Sequence, residues 1–464
     1  MSKSSIPPSC PDRSSDRSLD RPFQIEFEGH NVSARPGDTV ASALIAAGVQ
    51  VLSRSPKFHR PRTAFCLSGV CGSCLMRIDG RPNTRACQVK AEPGLRCSRQ
   101  NAWPSADYDV LAAADVMFPE SMDHHTLMTS SRSLNQIMQK VVQRMGGLGR
   151  IPDEDTIADT VRAAICRHVD VLVVGGGPSG LRGATEIARS LGSTGKVVLV
   201  ESQLEAGGSY LCHPELGRDS ARSAVEQAEQ AGVEILCSTV AFGYFGEDRH
   251  TEQPPTRHGV LAAASEKSLY KLSAERYLYA TGATPQNLLF GNNDRPGVLS
   301  GRAVGRLLAC HGIRVGEKPL VVGQGEFPEA LVRALRRNGQ TVLSIDGSSE
   351  TLIRSLGSTW VDGAEVRNER GVRTLQCDLI VIATPPAAAS ELLTQHGVPV
   401  RLHGLAGFVA VASPDGHTQL PNVYVCGEVT DSMSPRDAAQ HGQRVGKTVA
   451  DSLLTGFSSP KTSG

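Results

Sequence analysis

The chain has 464 residues, 40% hydrophobic and 20% charged, which exceeds one ordinary core and predicts two or three globular domains. A formal net charge of +1 supplies no strong long-range field, so neither nucleic acid nor an anionic membrane is an expected partner. Twelve cysteines, four of them crowded between positions 66 and 87, point to a local metal site in the cytoplasm rather than a disulfide framework.

Residues 1–22 carry Ser, Pro, Arg and Asp without an apolar h-region, and read as a disordered lead-in rather than a signal peptide. No run of about 18 apolar residues follows anywhere, so no transmembrane segment is expected. From Phe23, FQIEFEGHNVSARPG predicts two short strands joined by a turn near Glu28–His30. DTVASALIAAGV predicts a helix capped by Asp38 or Thr39, with Val40, Ala43, Leu44 and Val49 on its apolar face and Gly48 as its stop. CLMRID alternates, with Leu75 and Ile78 as expected core residues, and GRPN turns back toward RACQV. Strand, strand, helix, cysteine loop, strand and strand is the order of a ferredoxin-like β-grasp, assigned to residues 23–100.

The cysteines lie in FCLSGVCGSCLMRIDGRPNTRACQV with the spacing C-x4-C-x2-C-x12-C. Two bridged iron atoms need four thiolates drawn from one tight loop and a following strand, and Cys66, Cys71, Cys74 and Cys87 supply them. Gly69 and Gly72 let such a loop turn sharply and aim N–H groups at sulfur, while Ser68 and Ser73 keep it polar. A structural zinc is the competing occupant, but such sites pair short C-x2-C knuckles, and here there is one. Cys97 lies outside the spacing and is expected to be structural.

Residues 101–167 read as a helical connector. SLNQIMQKVVQRM is helical up to Gly146–Gly147, and DTIADTVRAAI is expected to be helical again. The pattern then switches. HVDVLVVGGGPSGLRGATEIARSLGSTGKVVLVES reads as strand, glycine turn, helix and strand, and opens a dinucleotide-binding domain at 168–300. Asp170–Val174 is nearly all β-branched or Leu, as a buried parallel strand requires. Gly175 permits the tight turn, Gly177 the approach of a diphosphate and Gly180 the close packing of the helix. Pro178 and Ser179 open the helix, whose N-terminal N–H groups face the anion. Glu201, 21 residues beyond Gly180, accepts from a ribose with free hydroxyls and repels a 2′-phosphate. The fingerprint leaves FAD and NAD both open. Gly207 and Gly208 allow further backbone approach to the cofactor.

Residues 301–394 form a second, degenerate half. LVVGQGEFPEALVRAL keeps Gly323 and Gly325 but has Pro328 where the third glycine belongs, and IATPP departs from the usual strand ending. A structural half is favoured over a working NAD site. Residues 395–464 return to the first domain: in LPNVYVCGEVTDSMSPRDAAQHGQRVGKTVADSLL, a strand ends at Gly427–Glu428 and a helix follows, with Glu428 aimed at ribityl hydroxyls. His441 in that helix is either a packing residue or a neighbour of the flavin, and packing is favoured. Lys57, His59 and Arg60 face a phosphate, a partner or solvent with nearly equal weight. The fold class is therefore α/β, Rossmann-like and similar to glutathione reductase, with an N-terminal α+β 2Fe-2S β-grasp domain.

RPGDTVASALIAAGV, SRSPKFHRPR, RTAFCLSGVCGSC, QNAWPSADYDVLAAAD, MGGLGRIP and HVDVLVVGGGPSGL resemble the α subunit of heterotetrameric sarcosine oxidase and its opine, proline and cyanide-forming dehydrogenase relatives. The resemblance implies a partner β subunit of the D-amino-acid-oxidase type. Its own FAD oxidises the C–N bond of a secondary or N-alkyl amino acid. The resemblance also implies an FMN between the subunits, FAD or NAD in this chain's fingerprint, small additional subunits and an external electron acceptor. Glu428 stands where related flavoproteins more often have aspartate. Sarcosine oxidase typically lacks the full cysteine set, so the chain is more similar there to the iron–sulfur relatives. It also stops at Gly464, before the folate-binding, aminomethyltransferase-like domain of the longer subunit. No substrate acid or base is assigned. The rival expectations are a self-contained NADH-dependent reductase and a non-catalytic scaffold.

Overall fold

The computed structural model describes residues 21–56, 58–117, 132–145, 163–246 and 259–456. Lys57, residues 1–20 of the lead-in, Gly146–Gly147 and positions 155–162 of the second expected connector helix lie outside them. The chain divides into two units that interleave in sequence. One comprises 1–158, 287–323 and 335–382, and the other 159–286, 324–334 and 383–464.

In the first unit, Phe23–Phe27 pairs antiparallel with His30–Ala34 through a turn in which Glu28 and Gly29 both have positive φ. The five-stranded sheet runs His30–Ala34, Phe23–Phe27, Arg96–Ser98, Leu75–Ile78, Arg81–Arg85. The helix Val40–Ala46 begins with a reciprocal cap: Ser42 N–H donates to Thr39 Oγ1 at 3.1 Å and Thr39 N–H to Ser42 Oγ at 3.0 Å. Val40, Ala41, Ala43 and Leu44 are fully buried. In Leu75–Ile78 the inward face is Met76 and Ile78, and Leu75 is only half-buried. The expected pairing of Leu75 with Ile78 is corrected by the period of two, which cannot place residues three apart on one face of a strand.

The same unit holds a four-stranded parallel sheet ordered Val298–Ser300, Leu379–Ile382, Pro319–Val322, Leu343–Ile345. Every residue of Pro319–Val322 and Leu379–Ile382 is buried, as a central parallel strand covered on both faces requires. An antiparallel meander, Thr351–Leu356, Gly363–Asn368 and Gly371–Leu375, completes its core with Leu352, Ala364 and Val366.

The second unit is built on a seven-stranded sheet. Glu234–Leu236, Val197–Val200, Ala163–Val174 and Ser268–Tyr279 run parallel, Val260–Ala264 and Val240–Phe245 continue antiparallel, and Val423–Val425 pairs with Tyr277–Tyr279. Ala163–Ile165 belongs to a 12-residue strand and not to the expected helix; those residues pair in register with Ser268–Tyr270. Cross-strand pairing along the whole of Ser268–Tyr279 overrides the helix propensity of the two alanines. The helices Pro178–Leu191 and Pro435–Gly456 cross at small residues: a Cβ on Gly446 would stand 2.6 Å from the Gly183 carbonyl oxygen. Among the described residues no helix is long and apolar enough to cross a membrane.

Candidate cluster and dinucleotide sites

The four cysteines converge. Cys66, Cys74 and Cys87 are buried and Cys71 is half-buried. The thiol of Cys66 lies within hydrogen-bonding reach of Cys71 and Cys87, and that of Cys74 within reach of Cys87. Accepting from Cys71 first and Cys87 next holds the Cys66 thiol below its ordinary range, and Cys87 does the same for Cys74, while the donating partners Cys71 and Cys87 are pushed up by the same contacts. Gly69 and Gly72 both have φ near +70°, the left-handed turn that glycine takes at no steric cost. Those turns deliver Ser68 N–H to Cys66 Sγ and Ser73 N–H to Cys71 Sγ, both at 3.4 Å. Four converging cysteine sulfurs, two of them already met by backbone amides, are the ligand set a 2Fe-2S cluster takes. Among the described residues no three such side chains surround a single ion position. A two-iron cluster places two thiolates on each metal, so it needs no such point.

Cys97 stands apart: it is buried and donates to the Glu26 carbonyl at 3.4 Å, and burial pushes its thiol up to about 12. Gln88 went unnoticed in the sequence. Its Nε2 donates to the Cys87 carbonyl at 3.2 Å and lies 3.9 Å from Cys87 Sγ, and its side chain fills the space a Cβ on Gly69 would take. Only its place directly after the fourth cysteine hinted at this. His59, one of the basic loop residues, is wholly buried, with Nδ1 2.8 Å from Asp109 Oδ2. Arg60 pairs through two nitrogens with Asp115. Both are therefore engaged within the chain.

In the second unit the fingerprint loop forms a cradle that side chains would fill. Gly175 has φ +107°, and a Cβ on Gly180 would collide with the Gly175 carbonyl oxygen. Gly177, the helix N-cap, is different: an added Cβ meets only Gly208 Cα, at 3.9 Å. No side chain caps that helix, which opens with Pro178, so its first-turn N–H groups remain for an anion. Ser179 is buried against Gly427, where a Cβ would strike Ser179 Oγ. Gly207 N–H donates to the Gly176 carbonyl at 2.7 Å and holds the Gly207–Gly208 turn against the fingerprint.

Glu201 ends the strand Val197–Val200 and is buried. Its Oε2 accepts from Gly176 N–H at 2.6 Å and its Oε1 from Gln203 N–H at 2.8 Å. Gly175 and Glu201 line a cavity of about 300 Å³ together with Thr239, Phe242, Thr281 and Leu392. A fixed carboxylate in its wall suits ribose hydroxyls and repels a 2′-phosphate. Thr239 and Phe242 had no sequence signal, because they arrive from the antiparallel part of the sheet. At the far end, Cys426 N–H bonds the Tyr279 carbonyl at 3.0 Å, and Gly427–Val429 forms a single tight turn containing buried Glu428. His441 Nδ1 accepts from Gly427 N–H at 3.2 Å, so the histidine braces that turn; burial first, then Arg444, lowers its ring's pKa.

Residues 20–102 match the model of the 2Fe-2S iron–sulfur cluster binding domain, and residues 169–365 that of the pyridine nucleotide–disulphide oxidoreductases. Over 77 residues the chain is 42% identical to the hydrogen cyanide synthase subunit HcnA of Pseudomonas aeruginosa, covering 17% of this chain and 73% of that subunit. The N-terminal domain belongs to this 2Fe-2S family. The sarcosine oxidase alpha subunit of Rhizobium meliloti is 30% identical over 346 residues, covering 70% of this chain and 34% of that one. The chain is thus an oxidoreductase with a 2Fe-2S domain and a FAD/NAD-binding Rossmann domain, related to sarcosine oxidase alpha subunits. It spans about a third of their length. A crystal structure of L-proline dehydrogenase from P. horikoshii shares the fold, with a TM-score of 0.69 at 20% identity over 96% of this chain and 75% of that one.

Proposed function

We propose that this oxidoreductase chain is the electron-transferring alpha-type subunit of a multisubunit flavin-dependent dehydrogenase or oxidase acting on C–N bonds of secondary or N-alkyl amino acids. The observation that carries the reading is the joining, in one chain, of a four-thiol loop and a dinucleotide cradle, supported by the relation to sarcosine oxidase alpha subunits. Cys66, Cys71, Cys74 and Cys87 hold the cluster. Gly175, Gly177, Pro178, Ser179 and Gly180 receive the diphosphate of FAD, with NAD as the alternative. Glu201 holds the ribose, Gly207 and Gly208 admit the cofactor backbone, and Gly427 and Glu428 meet the ribityl chain. A flavin supplies the exchange between two-electron and one-electron transfer, which a 2Fe-2S centre alone does not. Substrate oxidation falls to a FAD-containing beta subunit of the D-amino-acid-oxidase type, with FMN between the two and an external acceptor, in the cytoplasm.

Anaerobic purification from the native cell tests this directly. The chain should contain iron and acid-labile sulfide in equal amounts, and a second flavoprotein should accompany it. A screen of sarcosine, dimethylglycine, proline and opines with an artificial acceptor then identifies the substrate. No associated flavoprotein would count against the subunit reading. One observation favours a second reading, a self-contained NADH reductase: the pyridine nucleotide model runs on to residue 365, well into the second half. Rapid bleaching of flavin and cluster by NADH in the isolated chain would establish it.

A further inference from the structure

We propose that the four-stranded parallel sheet beginning at Val298–Ser300, with its helix Gly301–His311, is the outer wall of the cluster site, with Phe65 and Ser300 as positioning residues for Cys66. This rests on the reading that the four cysteines hold the cluster. Three contacts inside the first unit carry it. Phe65, directly before the first ligand, packs against the core made by Val298, Leu320, Val361 and Ile380. Its carbonyl accepts from Ser300 N–H at 3.0 Å. Ser300 ends the strand Val298–Ser300 and caps the helix Gly301–His311, its Oγ accepting from Ala303 N–H at 3.1 Å. At the other end of that helix, His311 Nδ1 lies 3.0 Å from Asp38 Oδ1, and both side chains are buried. Asp38 is itself fixed by Ser42 Oγ and Arg35 N–H. Further out, Arg60 reaches Asp294 at 3.6 Å.

One short helix thus touches the β-grasp domain at both of its ends, and its first residue holds the peptide unit that leads into Cys66. That unit is planar, so anchoring the Phe65 carbonyl also fixes the direction of the Cys66 N–H. Amide directions around the sulfurs are among the levers that set a cluster's potential. This parallel sheet therefore has work that needs no nucleotide. It keeps the geometry of the first ligand, and with it the potential at which the cluster exchanges electrons.

The test compares two full-length variants prepared anaerobically. Ser300→Ala removes only the capping oxygen. Ser300→Pro removes that oxygen and the N–H to Phe65, at a φ of −74° that already suits proline. Both should keep wild-type helical content by circular dichroism. Ser300→Ala should titrate like the wild type in a potentiometric experiment followed by EPR. Ser300→Pro should show a displaced midpoint, altered g-values, and iron loss to a chelator faster by a factor on the order of five, that of one net hydrogen bond. Equal midpoints and spectra in the two variants would overturn the proposal. If Ser300→Pro does not fold, Phe65→Ala decides: a displaced midpoint supports it and an unchanged one sinks it. Wild-type protein without iron after reconstitution would instead refute the cluster assignment, before any variant is compared.

Discussion

At the scale of single residues, the two kinds of buried cysteine make opposite predictions. Cys87 is in thiol contact with Cys66 and Cys74, whereas Cys97 donates to the Glu26 carbonyl of a strand. Cys87→Ser should lose most of the iron, sulfide and visible absorbance. Cys97→Ser, which keeps a hydroxyl donor for Glu26, should retain all three. Equal iron content in the two proteins, measured by metal analysis, would contradict the assignment. His396 gives a prediction in pH. It is buried, stacked on Tyr244, and its Nδ1 is 2.8 Å from the Tyr279 hydroxyl. Burial lowers its pKa from 6.5 to about 4. Between those values the unfolded chain binds the extra proton, so stability falls as pH drops from about 6.5 toward 4 and is level above. The melting midpoint of wild type should decline from pH 7 to pH 5 more steeply than that of His396→Gln, which retains an acceptor but does not titrate. Parallel curves would mean that other groups dominate.

At the scale of elements, the glycine turn separates folding from binding. Gly180→Ala drives a methyl into the Gly175 carbonyl, and the turn cannot yield without parting strand from helix. It should cost about 1–3 kcal/mol, the range for overpacking a tight core, and lower the melting temperature. Gly177→Ala meets only Gly208 at van der Waals distance, and the φ of −78° at Gly177 suits any residue. That variant should melt within about 0.5 kcal/mol of wild type, the usual range away from packing faults, yet lose bound dinucleotide. Equal cofactor content with wild type would move the diphosphate elsewhere. These elements were legible in the sequence because their signals are local: a β-branched strand, three spaced glycines and a terminal acid within about one supersecondary unit. The capped helix after Asp38 was legible for the same reason. The strand at Ala163 was not, because its partner, Ser268–Tyr279, lies about a hundred residues further on. Nor was the seat of Phe65 on Ser300, which no periodicity announces. Leu75 is apolar yet shares its strand face with Arg77, so hydrophobicity and the period of two point opposite ways there.

At the scale of the whole molecule, the question is whether this chain oxidises a substrate by itself. A dehydrogenase acting on an amine needs a group poised to receive a proton, and buried histidines are the natural place to seek one. Each histidine with a buried side chain among the described residues has one ring nitrogen engaged. His59 meets Asp109, His213 accepts from Glu215 N–H, His311 meets Asp38, His396 meets Tyr279, and His441 accepts from Gly427 N–H, while Nε2 of His59 and of His441 is buried without a partner. The buried carboxylate of Glu201 is bonded to Gly176 and Gln203 N–H groups. These contacts brace loops of the chain, and the proposed function gives none of these groups a role on the substrate. Under the proposed assignment, the isolated chain loaded with cluster and flavin should therefore give no turnover of sarcosine, proline or opines with an artificial acceptor. Mixing it with its co-purifying flavoprotein should restore both turnover and substrate-dependent bleaching of the cluster. The comparison is read in one anaerobic cuvette, where the cluster absorbance reports electron arrival and the acceptor reports turnover. Bleaching by amine in the isolated chain would place the substrate site here after all, and would require an acid–base group among side chains now read as structural.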